Sequence, residues 1–225
     1  MQSHGPLRIE VFIEQMFQQN GLLVWCDGGR DCWIVDPGFP PQCDRIVQSV
    51  QQRELTPAAL LLTHCHVDHI AGNKTVRAAF PAVPIWAPRA EREFLTDAEV
   101  NLSAQMGLPV TSPPADRLLA PRESLTLSDL SFDVLDVAGH SPGGLAYYCA
   151  AAGVAIVGDA LFAGGIGRVD FPGSSGARLI GNIRKHLLSL PDDTIVYSGH
   201  GPTTTIGRER RSNPFLTGQI DPDEL

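Results

Sequence analysis

The ten residues THCHVDHIAG, 63–72, place three histidines and an aspartate within six positions, directly after the apolar run AALLL. Imidazole and carboxylate together suit zinc and the other borderline divalent metals, whereas an all-oxygen set would suit calcium or magnesium. His64 and His66 stand two apart at the end of a strand-like run, so in extended backbone both project to the same side and can reach one ion. Asp68 and His69 follow where the chain turns toward a helix and are aimed elsewhere. The spacing therefore offers ligands to two neighbouring metals.

A binuclear site needs further ligands from distant parts of the chain. Three candidates share one local setting: His140 in DVAGHSPGG, Asp159 in AIVGDALF and His200 in VYSGHGP. Each follows an apolar, β-like run and sits beside glycine, the kind of strand-end loop on which functional residues tend to lie. Taken singly, either histidine would be an ordinary surface or core residue and Asp159 a helix N-cap. Beside HxHxDH the repeated pattern reads as a ligand set, while His4 and His186, which lack that setting, read as ordinary residues.

Thiol chemistry is the rival. Cys65 lies between two histidines and Ser141 follows His140, so a nucleophile–histidine pair is formally available. Adjacent strand residues point apart, however, and Cys65 is expected to face packing and be dispensable. The five cysteines are an odd count with no CxxC pair and read as free thiols in a reducing, cytoplasmic compartment. With a net charge of −8 the chain has no basic field for nucleic acid, and it lacks an apolar run long enough to span a membrane or a secretory start, so neither partner is expected. GGIG lacks the Lys-Ser/Thr of a phosphate-binding loop. Arg168 and Asp170 read as an ion pair anchoring the glycine-rich loop 164–173, and GRERR, 207–211, as a solvated helix face.

The elements that must position these residues are legible as a pattern. LRIEVFIEQMF and GLLVWCDGG flank Asn20-Gly21, a hairpin-turn dipeptide, and DCWIVDPG adds a third strand. A helix is expected near 44–53, with Ile46, Val47 and Val50 on its apolar face, then Pro57 ending the connection and AALLLT as a buried strand. A helix over 72–80 precedes the strand VPIWA. Residues 89–118 are the least regular, with a helix and a TSPPAD loop. SLTLSDLSFDVLDVAG, GLAYYCA, GVAIVGD, a helix over 176–190 and DDTIVYSGHG complete the second half. Two sheets with helices outside them, in one domain spanning 1–225, follow from this order.

With its HxHxDH motif followed by separate His, Asp and His residues, the sequence resembles the metallo-β-lactamase superfamily from the IVDPG strand to the terminal GHGP. The resemblance implies an α+β fold, the four-layer αβ/βα sandwich of that superfamily. It implies one metal held by His64, His66 and His140, a second by Asp68, His69 and His200, and Asp159 bridging both. Two divalent ions, zinc first and iron or manganese as alternatives, would make a bridging hydroxide the nucleophile and polarise a substrate carbonyl, with Asp68 orienting the hydroxide or taking a proton.

GGIGRVDFPG, 164–173, and LPDDTIVYSGHGPTTTIGRERRSNPFL, 190–216, look like the short bacterial relatives of glyoxalase II, the hydroxyacylglutathione hydrolases. That resemblance implies a small-molecule thioester substrate such as S-D-lactoylglutathione. The larger glyoxalase II enzymes carry a C-terminal helical domain with no counterpart here, so glutathione recognition is expected from local loops. The GRxDF segment and HCH triplet also resemble persulfide dioxygenases, which use a single iron and would leave Asp68, His69 and His200 without a role. Lactonase and β-lactamase activities belong to the same hydrolytic chemistry.

Overall fold

The computed structural model describes residues 1–221; the last four residues of the domain expected over 1–225 lie outside that range. The chain forms two compact units, Met1–Leu119 with Thr126–Leu130, and Ala120–Leu125 with the chain from Ser131 onward.

The first unit is built on a seven-stranded sheet in sequential order. It comprises β1 (Gln2–His4), β2 (Leu7–Ile13), β3 (Asn20–Cys26), β4 (Asp31–Val35), β5 (Thr56–Leu61), β6 (Ile85–Pro88) and β7 (Arg117–Leu119). Strands β1 to β4 pair antiparallel and β4 to β7 pair parallel. The apolar run of β3 is buried along its whole length, as a central strand covered on both faces requires. Helix α1 (Gln42–Gln52) turns Ile46 and Val50 inward onto Leu23, Ile34, Leu60 and Leu62, with Val47 partly buried against the same cluster. Each such buried aliphatic side chain is worth roughly 1.5–3 kcal/mol.

Three expectations need correction here. Asn20 and Gly21 are not a turn but buried strand residues paired with Ile13 and Phe12, and the reversal falls on 14–19, closed by Glu14 N–H donating to Gln19 O. Close packing is the reason, since a Cβ on Gly21 would lie 2.4 Å from Gln42 Nε2 and 2.9 Å from Asp36 O. Pro57 does not end a connection but sits inside β5, opposite Cys32, where the register shifts and a missing N–H is tolerated. The helix expected within 89–118 is a 3₁₀ segment, Arg89–Leu95, broken at Glu91 (φ −118°, ψ 19°).

A six-stranded sheet, all of it in the second unit except Thr126, Leu127 and Leu130, comprises β8 (Ser124–Leu127), β9 (Leu130–Asp136), β10 (Leu145–Cys149), β11 (Val154–Gly158), β14 (Ile195–Ser198) and β15 (Thr204–Thr205), with a separate hairpin of β12 (Leu161–Phe162) and β13 (Gly165–Ile166). Strand β9 alternates as its sequence predicts, burying Leu130, Phe132 and Val134. The helix expected over 176–190 is present as α4 (Gly176–Asn182) and continues as a wider π turn, Ile183–Leu187. Ser175 caps α4 by accepting the N–H of Arg178. Leu179 and Ile183 pack on Val137, Val157 and Val196.

Helix α5 (Ile206–Ser212) corrects the reading of GRERR as a solvated face. Its central Glu209 is fully buried, accepting Gly164 N–H at 2.8 Å, Asn213 Nδ2 at 2.9 Å and Thr204 Oγ1 at 2.5 Å. The carboxylate thereby ties the β12–β13 turn to β15 and α5.

Candidate metal centre

In the first unit, β4, β5 and β6 run parallel and so end at one edge of the sheet. Asp36 leaves β4 there, Thr63–His66 leave β5, and Glu91 follows β6. Two-residue alternation carries His64 and His66 to one side, their rings edge-on with centroids 4.8 Å apart. The turn into α2 (Val67–Ile70), which precedes the expected helix α3 (Asn73–Ala79), brings the His69 ring to 4.0 Å from that of His64 and its Nε2 to 3.7 Å from Asp68 Oδ2. His64, His66 and His69 are buried, whereas Asp68 is partly exposed.

The hydrogen-bond partners decide which ring nitrogen each histidine presents. Thr63 donates its N–H and hydroxyl to the two oxygens of Asp36, at 2.9 and 2.6 Å. With its single proton so used, the Thr63 hydroxyl can only accept from His64 Nδ1, 3.2 Å away. His69 Nδ1 donates to Asp36 Oδ2 at 2.9 Å. Both rings are therefore held as the tautomer whose Nε2 carries a lone pair for a metal. Asp36, His64 and His69 offer ligand atoms within 4.8 Å of one another, but the Asp36 oxygens are already engaged by these three donors. The donor set, imidazole with carboxylate, fits a divalent ion of the zinc type.

Cys65 faces the other way, into the apolar cluster of Leu60, Leu62 and Ile70. Burial, with the carboxylates of Glu91 and Asp36 adding to it, pushes its thiol well above the ordinary cysteine range. A thiol so held is a poor nucleophile, which removes the ground for the cysteine–histidine alternative.

In the second unit, β9, β11 and β14 share one direction and deliver His140, Asp159 and His200 from their C-terminal ends. Asp159 Oδ2 lies 3.6 Å from His140 Nε2 and 3.3 Å from His200 Nε2, so one carboxylate oxygen stands between two imidazoles. His140 Nδ1 donates to Arg168 O at 2.8 Å, which again makes Nε2 the ring nitrogen that could coordinate an ion. Arg168 also makes the expected two-pronged pair with Asp170, at 3.0 and 2.6 Å, and lies 4.6 Å over Phe171, whose ring meets His140 edge-on. The glycine-rich loop thus aims His140. Gly167 permits the approach, because a Cβ there would lie 2.0 Å from Asp159 O.

Of the seven residues singled out as ligands, His64, His66, His140, Asp159 and His200 follow strand ends and Asp68 and His69 lie in α2, four residues in the first unit and three in the second. His4 lies in β1 and His186 in the π turn, outside either group. Of the aromatic candidates, the Phe162 ring meets His200 edge-on at 6.0 Å, whereas Tyr147 is wholly buried. Reading by residue type missed Asp36, Thr63 and Glu91. Only the placement of Asp36 at the end of the apolar run WIV, before Pro-Gly, resembled the setting of the chosen ligands.

These strand-end groups and the two mixed sheets with their helices define a metallohydrolase, and the chain belongs to the metallo-β-lactamase superfamily, whose model matches residues 15–200. It is 38% identical to hydroxyacylglutathione hydrolase GloC of Haemophilus influenzae, over 95% of this chain and all of that protein. Among solved structures it is similar to the B3 metallo-β-lactamase BLEG-1 (TM-score 0.88, 39% identity, 94% of this chain and all of the other). It is also similar to TTHA1623 in a di-iron-bound form (TM-score 0.80, 34% identity, 92% and 100%) and to ETHE1 from Myxococcus xanthus (0.77, 25%, 94% and 85%). No helix among the described residues is long and apolar enough to cross a membrane.

Proposed function

We propose that the chain is a dinuclear thioesterase of the glyoxalase II type, acting on S-D-lactoylglutathione or a related small thioester. In this reading His64, His66 and His140 would hold one ion and Asp68, His69 and His200 the other, with the Asp159 carboxylate available to both. The observation that carries the reading is Asp159 Oδ2, poised 3.6 and 3.3 Å from the Nε2 atoms of two histidines assigned to different ions. The Asp36–His69 hydrogen bond adds to it, since a single-metal site made without His69 has no use for so closely set a tautomer.

The ions, zinc by donor chemistry and iron by similarity to the di-iron relative, would supply an acidified water near neutral pH and polarisation of the thioester carbonyl. The chain's own part is to fix the ligands and manage protons. Asp68 orients the attacking water and accepts its proton. Oxygen adds to the carbonyl carbon, the carbon–sulfur bond breaks, the leaving thiolate takes the proton held by Asp68, and the carboxylic acid formed loses its remaining proton to solvent, giving a carboxylate and a thiol. The five cysteines, all buried and outside any disulfide, accord with a reducing, cytoplasmic setting.

Similarity to ETHE1 keeps persulfide oxidation by one iron as the second reading. One preparation separates the two: metal content per chain of protein purified without added metal, with turnover of S-D-lactoylglutathione and of glutathione persulfide on the same sample. About two metals per chain with thioester cleavage is the expected result. One iron with oxygen consumption on the persulfide overturns the hydrolase.

A further inference from the structure

The segment 89–110, which separates β6 from β7, sits against the HCHVDH motif at two points. Glu91 is fully buried where the 3₁₀ segment breaks, and its Oε2 accepts the N–H of Cys65 at 2.6 Å. Asn101, also fully buried, accepts the N–H of Val67 on its backbone carbonyl at 3.1 Å. That carbonyl is itself held, because Asn101 Nδ2 donates to Phe94 O at 2.8 Å and Val110 O at 3.0 Å, while its Oδ1 accepts from Ser103 N at 3.0 Å.

Cys65 and Val67 are the two neighbours of His66. His66 is the N-cap residue of α2 and makes no side-chain cap, so the first N–H groups of the helix must find acceptors elsewhere. Asn101 O takes the N–H of the first helical residue and Glu91 takes the one two positions earlier. Alternate backbone N–H groups point the same way, so both acceptors grip the chain from one side of His66. Phe94, from the same segment, lies with its ring 6.2 Å from that of His66.

We infer that Glu91 and Asn101 form a two-point brace that sets the direction of His66, making Glu91 a positioning residue of the metal centre. The inference rests on His66 being a ligand, as proposed above. What matters is the reach of the Glu91 oxygen rather than its charge. Outer groups that orient a ligand are worth about 10- to 100-fold in metal affinity.

The test compares Glu91→Gln, which keeps the reach and loses the charge, with Glu91→Asp, which keeps the charge and loses the reach. Full-length metal-free proteins are titrated with Co²⁺ against a competing chelator. The visible absorption of the loaded forms reports coordination, and thermal unfolding of the metal-free forms reports folding. The brace requires Glu91→Asp to lose about tenfold or more in Co²⁺ affinity with an altered spectrum, and Glu91→Gln to stay within a few-fold of the parent. Asn101→Asp retains the backbone carbonyl but removes the two donors that hold it, and should also weaken binding. Should Glu91→Asp not fold, the Asn101→Asp and Glu91→Gln pair decides in the same way. Parent-like affinity and spectrum in Glu91→Asp, or equal losses in the Asp and Gln variants, overturn the brace while the parent's Co²⁺ binding leaves the metal reading standing. A parent that binds no Co²⁺ overturns both. A purely structural role would lower the unfolding temperature and leave the spectrum unchanged.

Discussion

Asp36 occupies the left-handed backbone region, φ 45°, which costs a non-glycine residue about 1–3 kcal/mol. It is 2% exposed, and its two oxygens take three donors from Thr63 and His69. A conformation otherwise disfavoured thus places a carboxylate that orients His64, through Thr63, and His69, two of the proposed ligands. Asp36→Asn preserves shape and tolerates the backbone angle, but its amide nitrogen cannot accept from both the Thr63 hydroxyl and His69 Nδ1. The substitution should lower metal affinity by about 10- to 100-fold in chelator competition. Cys65→Ser, whose side chain faces packing, should leave hydrolysis within a few-fold of the parent. Reversal of that order, with Asp36→Asn silent and Cys65→Ser inactive at full metal occupancy, would restore the thiol mechanism.

Strand direction does at the next scale what hydrogen bonds do at the residue. Parallel β4, β5 and β6 carry Asp36, the HCHVDH motif and Glu91 to one edge, and β9, β11 and β14 do the same for His140, Asp159 and His200. Loops at such ends need tight approach, and Gly167 supplies it on the loop whose Arg168 carbonyl fixes the His140 tautomer. Gly167→Ala puts a methyl 2.0 Å from Asp159 O and 2.9 Å from His140 Cγ, so backbone must shift. The expected cost is about 1–3 kcal/mol in urea unfolding of the metal-free protein, accompanied by weaker metal binding. Unchanged stability and affinity would show that the loop does not press on His140 and Asp159.

At the scale of the whole molecule, both units bury weak acids that resist ionisation. Burial pushes the Cys32 thiol, in β4, from an ordinary 9.0 up to about 12, with Asp31 adding to it, and the Tyr197 phenol, in β14, from 10.0 up to about 12. Both folded values lie above the unfolded ones, so the native state keeps protons that the unfolded chain gives up. The stabilisation is complete below about pH 9 and is lost as pH rises toward about 12. Urea midpoints of the metal-free protein should be flat from neutral pH to about 9 and fall beyond it, and Cys32→Ala should show a shallower fall from its lower starting stability. An equally steep fall in Cys32→Ala would exclude the thiol as a source.

As candidate ligands, His64, His66, Asp68 and His69 are legible in the sequence because the chemistry proposed for them depends on residue type and local periodicity, which a linear chain displays. His140, Asp159 and His200 were legible because each repeats one setting, an apolar run ending at glycine. The tertiary structure alone decided the partners that hold them. Asp36 reaches His69 across 33 positions and Glu91 reaches Cys65 across 26, and an acidic residue that accepts from a buried backbone amide looks in sequence like any other. The same limit explains Asn20-Gly21 and Glu209. Turn preference and helical charge are local tendencies, and both yielded to packing, by Gln42 and Asp36 against Gly21 in one case and by Gly164, Thr204 and Asn213 around a buried carboxylate in the other.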